Sequence, residues 1–124
     1  MGLYHVTNLL CTSEDYEEGR MDTTKMMKEG VGAVIDLRLK LPADYITRER
    51  MDLAKGKIYY GLMPSEANTV GPLMLMNHIC QEALYDMNQG NRVCLHENQG
   101  QNVADFMASM VMLRSGLKPA DTFN

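Results

Sequence analysis

Nowhere in these 124 residues does an apolar run approach the roughly 18 residues that a membrane-spanning helix needs. The opening MGLYHVTNLL has no basic segment followed by an apolar one, so no secretory signal is read from it. Positive charge is never concentrated: 12 Lys and Arg are spread singly against 16 Asp and Glu, for a formal net charge of -4. A nucleic-acid backbone requires a basic stripe, so nucleic acid is not an expected partner. Cysteines are few as well. Cys11, Cys80 and Cys94 make an odd number, share no CxxC spacing and fall in or beside apolar segments, which argues against a disulfide framework and a zinc site. They are read as buried free thiols. His5 and His78 have no second ligand at metal spacing, so neither a metal nor another cofactor is expected. Internal repeats and low-complexity segments are absent too. What is present is 45% hydrophobic content, enough for one core in a chain too short for two. A single cytoplasmic domain over 1–124, with no membrane attachment, is expected.

The spacing of the apolar residues predicts the elements. LYHVTNLL alternates apolar and polar residues as a half-buried edge strand does, and TSEDYEEG supplies turn and capping residues. DTTKMMKEG reads as a short helix capped by Asp22 or Thr23 and stopped by Gly30. GAVIDLR, rich in strand formers, reads as a central strand buried on both faces. LPADYITRERMDLAKG is polar and mixed, a loop with a helical piece, and KIYYGLMP is a further strand ended by Pro64. In GPLMLMNHICQEALYDMNQG, Pro72 suits a first helical turn, Leu75, Ile79, Ala83 and Met87 recur at helical spacing, and Gly90 suits the helix end. NRVCLH is another strand, and a Met-rich helix follows it. The order predicts an α/β fold with a central, largely parallel sheet flanked by helices.

Between that last strand and helix stand His96, Glu97, Asn98, Gln99, Gly100, Gln101 and Asn102 in a row. In parallel sheets, ligands bind beyond the carboxyl ends of the strands, which is where this turn lies. Gly100 can adopt a backbone conformation closed to other residues, and successive N–H groups entering a helix form a nest for an anion. An ordinary strand-to-helix turn would carry the same polarity with no ligand, and the residues alone leave both readings open.

VCLHENQGQNVADFMASMVMLRSG resembles the signature region of the dual-specificity branch of the protein tyrosine phosphatases. That family runs apolar strand, His, Cys, five residues including a glycine, Arg, then a helix. His96 matches its His, Gly100 its Gly, Asn102 the Asn that often precedes the Arg, and 104–113 the helix. Glu97 stands at the nucleophilic Cys and Val103 at the phosphate-gripping Arg. Upstream, LYHVTNLL resembles the family's opening strand, GVGAVIDLR its central strand, and KIYYGLMPSE the strand leading to its general-acid loop. Glu66 falls 31 residues before Glu97, close to the family's spacing between acid and nucleophile. The chain stops at KPADTFN, about where the family begins its closing helices, so the resemblance implies a fold shortened at the C-terminus.

The resemblance therefore implies a pseudophosphatase with no catalytic residues, Glu97, Val103 and Glu66 being degenerate positions. The expected binding residues are His96, Glu97, Asn98, Gln99, Gly100, Gln101, Asn102 and Val103, with His96 orienting the loop. The partner would be a protein, or a small phosphorylated or nucleotide ligand held by the amide side chains. The alternative is a hydrolase of different chemistry that uses Glu97 as nucleophile or base, with Glu66 or His78 nearby. Were the closing helices missing, the Met107, Met110 and Val111 face would stay uncovered and form a homodimer contact. The run Asp15, Glu17, Glu18 and the cluster Arg48, Glu49, Arg50 are read as solvated surface.

Overall fold

The computed structural model describes residues 2–17, 19–65 and 73–116. Pro72, Glu66 and the segment 117–124, on which sequence expectations fell, lie outside them. The elements run β1 (Leu3–His5), β2 (Leu10–Glu14), α1 (Thr23–Lys28), β3 (Val31–Asp36), α2 (Ala43–Lys55), β4 (Tyr59–Leu62), α3 (Leu73–Asn88), β5 (Arg92–Glu97) and α4 (Ala104–Ser115). They form one sheet of order β1-β2-β5-β3-β4. All neighbouring strands are parallel except β1, which pairs antiparallel with β2. The expected α/β architecture is therefore observed.

Helices cover both faces, which is why β3 and β5 read as continuous apolar runs. On one face, Val93 and Leu95 of β5 pack with Ile79, Cys80 and Ala83 of α3 and with Ala104, Met107, Ala108 and Val111 of α4. On the other, Cys94 and Val34 pack with Met26 of α1 and Leu53 of α2. Burying each such large aliphatic side chain stabilises the fold by about 1.5 to 3 kcal/mol. Helix α1 is capped by Asp22, whose Oδ1 accepts from the Lys25 N–H at 3.0 Å, and Gly30 beyond its end takes a left-handed φ of 70°.

Four expectations are corrected. LYHVTNLL is not one strand: the N–H groups of Val6 and Thr7 both donate to the Leu10 carbonyl, and the Thr7 hydroxyl accepts from Leu9, so the chain turns there into a β1–β2 hairpin. The polar Thr12 and Ser13, read as turn, lie buried in β2 because β5 pairs alongside them. LPADYITRERMDLAKG forms the 13-residue helix α2, which looked irregular because its inward stripe is narrow and includes the charged Glu49 beside Leu53. Finally, the α4 face expected to be uncovered is not: Met107 and Val111 are fully enclosed and Met110 packs against the same core, since α3 and the sheet close over them. No described helix is long and apolar enough to cross a membrane.

Candidate functional site

Because β5 lies between β2 and β3, the turn after it leaves from the middle of the sheet. Glu97 ends β5 and is almost fully buried. Its Oε1 turns back and accepts from the N–H of Val103 at 2.7 Å and of Ala104 at 3.0 Å. These amides open α4, and Val103 offers no side-chain cap of its own. The carboxylate thus supplies that cap at the positive end of the helix dipole. The tight path between is carried by Gly100 and Asn102, with φ of 74° and 59°.

The amide side chains of the turn have work to do within the chain. Asn98 Oδ1 accepts from the N–H groups of Leu39 and Lys40, and its Nδ2 donates to Asp15 Oδ2 and the Lys40 carbonyl, all at 2.9 Å. Gln101 Oε1 accepts from the Asn98 N–H, while its Nε2 donates to the carbonyls of Leu37 at 2.7 Å and Ser65 at 2.6 Å. These bonds tie the segments leaving β3 and β4 to the turn, the Leu37 carbonyl also accepting from the Ser65 N–H at 3.1 Å. Much of the turn's polarity is explained by this stapling. Gln99 and Asn102 are exposed.

Beneath the turn lies a buried ionic network. His96 is enclosed, with Nδ1 at 2.7 Å from Ser13 Oγ and Nε2 at 2.7 Å from Asp15 Oδ1. Arg38, also enclosed, donates to Asp15 at 3.0 Å, to Asp36 at 2.9 and 2.8 Å, and to Glu49 at 2.7 Å. The Tyr60 hydroxyl donates to Asp36 as well. Burial disfavours the Arg38 charge, but hydrogen bonds to Asp36 and Glu49 and their charges outweigh it and hold the guanidinium protonated. Burial likewise pushes the Asp15 carboxyl up, yet the hydrogen bond and charge of His96, then Arg38 and Asn98, bring it below the usual carboxylate value. The Tyr60 phenol is pushed up by burial and by Asp36. Asp15 and Glu49, read from the sequence as solvated, are instead buried members of this network. A signal existed in DLR, where two opposite charges directly follow an apolar strand and a buried charge requires a partner.

Ser13, His96 and Asp15 have the makeup of a nucleophile, base and carboxylate relay. The space beside Ser13 and His96, however, is about 10 Å³, at the limit for one water molecule. No substrate reaches Ser13 through it. The open space is elsewhere: a cleft of about 310 Å³ lined by Asp15, Gly19, Lys40, Pro42, Asn98 and Gln99 adjoins the turn. Of the residues expected to bind a ligand, Asn98 and Gln99 border this cleft, whereas the side chains of His96 and Val103 are buried and face no solvent. His78 lies exposed on α3 and is not a hydrogen-bond partner of Glu97. No group of three or more His, Cys, Asp or Glu among the described residues is arranged to hold a metal ion.

Solved phosphatase structures share this architecture. A putative phosphatase (DUF442) from Shewanella putrefaciens CN-32 superposes with a TM-score of 0.67 at 19% identity, over 92% of this chain and 69% of its own. PTPMT1 gives 0.67 at 16% identity, over 97% and 77%. Kinase associated phosphatase, crystallised with its catalytic-site cysteine substituted by serine, gives 0.63 at 10% identity, over 95% and 76%. No family model matches the chain, and no curated protein matches it in sequence. The chain thus has an α/β fold of the dual-specificity phosphatase type.

Proposed function

We propose that this domain is a phosphatase-like binding module that does not turn over phosphate esters. The observation that carries the reading is the Glu97 carboxylate seated on the N–H groups of Val103 and Ala104. Those amides head the helix at the point where a bound phosphate would be received. A carboxylate is also a poor nucleophile toward a phosphate ester, whose attack in the resembling family uses a thiolate. An ionised Glu97 about 4 Å from an incoming phosphate opposes it by roughly 1 kcal/mol per unit charge in a wet site and about 4 in a drier one. Val103 in place of an arginine removes a charge-assisted contact of about 1.5 to 3 kcal/mol more. The use of Glu97 as nucleophile or base is disfavoured by the same bonds, which hold one of its oxygens within the loop.

Ligand or partner would enter the cleft of about 310 Å³ beside Asn98 and Gln99, where Lys40 supplies a cation. The test pairs two measurements. Wild-type protein is assayed for hydrolysis of p-nitrophenyl phosphate, with none expected; clear turnover lost in Glu97→Gln would overturn the reading. Thermal shifts are then recorded against phosphate, phosphotyrosine, mononucleotides and cyclic nucleotides, where a ligand at 100 times its Kd adds about 2.7 kcal/mol. A selective shift abolished by Asn98→Ala or Lys40→Ala identifies a small-molecule binder; no shift with any of them identifies a protein partner as the object of a pull-down.

A further inference from the structure

Away from the turn, a groove of about 550 Å³ opens between α3 and β4, bordered by Tyr59, Gly61, Glu82, Tyr85, Asp86 and Gln89. Strand β4 is outermost in the sheet. The Met63 N–H donates to the Asp36 carbonyl, so the alternation of a parallel ladder turns the Tyr59 and Gly61 amides toward β3. The N–H and C=O groups of Tyr60 and Leu62 then face away from the sheet, and no strand among the described residues pairs with them. Native sheets usually blunt a bare edge with lysine, proline or a bulge. The four residues of β4, YYGL, carry none of these.

The face of β4 toward α3 is also open. Tyr59 is 69% exposed, and a Cβ placed on Gly61 would meet only the end of Met63, at 3.7 Å. Along α3, Glu82, Tyr85, Asp86 and Gln89 are spaced i, i+3, i+4, i+7, a single stripe beside the one that enters the core. Glu82 and Asp86 are like charges one turn apart, and burial together with Glu82 raises the Asp86 carboxyl. Neither forms an ion pair among the described residues, and no lysine or arginine lines the groove.

We propose that the groove and the free edge of β4 dock an extended segment of a partner protein, with a lysine or arginine of that segment placed between Glu82, Asp86 and the ring of Tyr85. Backbone pairing to Tyr60 and Leu62 holds the segment as a sixth strand, and its alternate side chains fall over the groove. The cation there meets two carboxylates and an aromatic face, and relieves the repulsion between Glu82 and Asp86.

The test uses fluorescein-labelled octapeptides of alternating Val and Thr with Lys, Arg, Gln or Glu at the centre, followed by fluorescence anisotropy. The Lys and Arg peptides are expected to bind at least tenfold more tightly than the Glu peptide. Glu82→Gln with Asp86→Asn should erase that preference without lowering the thermal melt, since it removes the repulsion between the two carboxylates, and Leu62→Pro, which removes an outward N–H, should weaken all the peptides. Amide exchange at Tyr60 and Leu62 should slow when the Lys peptide is bound. Equal affinity for the Lys and Glu peptides, retention of the preference in the double variant, or no binding by any peptide would overturn the proposal.

Discussion

Replacing Glu97 by alanine removes one carboxylate and exposes two helix-opening amides, so a single substitution changes both stability and anion affinity. The two bonds, 2.7 and 3.0 Å long, share one oxygen, and their loss is less than additive. With about 1.5 to 3 kcal/mol for one hydrogen bond to a charged group and about 0.5 to 2 for a helix cap, a destabilisation of about 2 to 3 kcal/mol is expected. For a domain of this size that lowers Tm by about 10 °C. Glu97→Gln, which keeps an acceptor without its charge, should lie between. The vacated amides should then take sulfate. If the variant binds it with a Kd of about 1 mM, about 20 mM sulfate restores about 1.8 kcal/mol, while in the wild type the carboxylate opposes the anion by roughly 1 to 4 kcal/mol. Differential scanning fluorimetry of both proteins in sulfate and in chloride at matched ionic strength measures the difference. Equal sulfate shifts in the two proteins, or a variant as stable as the wild type, would refute the argument that Glu97 occupies an anion seat.

Three further outcomes are expected. Arg38→Met leaves Asp15, Asp36 and Glu49 buried without their shared cation, and the urea midpoint should fall by the equivalent of about 3 to 5 kcal/mol; a loss under about 1 kcal/mol would mean that the network is solvated. Despite its burial, His96, Arg38 and Asn98 hold the Asp15 carboxyl below the usual carboxylate range, so its contribution is fully present above the ordinary, unfolded value and is lost as pH falls through the lower, folded one. Asp15→Asn should accordingly flatten the decline of stability below pH 3.8, measured by denaturant melts across pH; an unchanged slope would contradict the assignment. Cys11, Cys80 and Cys94 are all buried, and burial raises the thiols of Cys80 and Cys94, so Ellman's reagent should label no cysteine in the native protein and three after denaturation. Rapid native labelling of any one would show that its segment opens.

The sheet was legible where strands are apolar on both faces or residues follow a single helical period. β3 and β5 announce themselves as apolar runs, and α3 by Ile79 and Ala83 at helical spacing, because burial alone decides those positions. Legibility failed where polar side chains are interior. Ser13 and Thr12 look like turn residues until β5, some 80 residues later, supplies the environment that buries them, and Glu49 looks solvated until Arg38 is placed beside it. At the candidate site, the sequence pointed to the turn and led to the expectation that His96 orients it, whereas the His96 side chain bonds Ser13 and Asp15. The direction of the Glu97 carboxylate and the stapling by Asn98 and Gln101 depend on where the segments after β3 and β4 arrive, which no local pattern encodes.

The position of β5 at the centre of the sheet also constrains how the chain is made. Until Arg92–Glu97 is available, β2 and β3 share no ladder, and the first two-thirds of the chain holds only the pairs β1–β2 and β3–β4. Each pair then presents a bare parallel edge, β2 with Leu10 and Cys11 and β3 with Val34 and Ile35, and both edges are made to receive the same absent strand. Such edges invite pairing with other chains. During synthesis this domain therefore passes through an interval in which both of these edges are open, and it ends only when β5, in the final third of the chain, closes the gap.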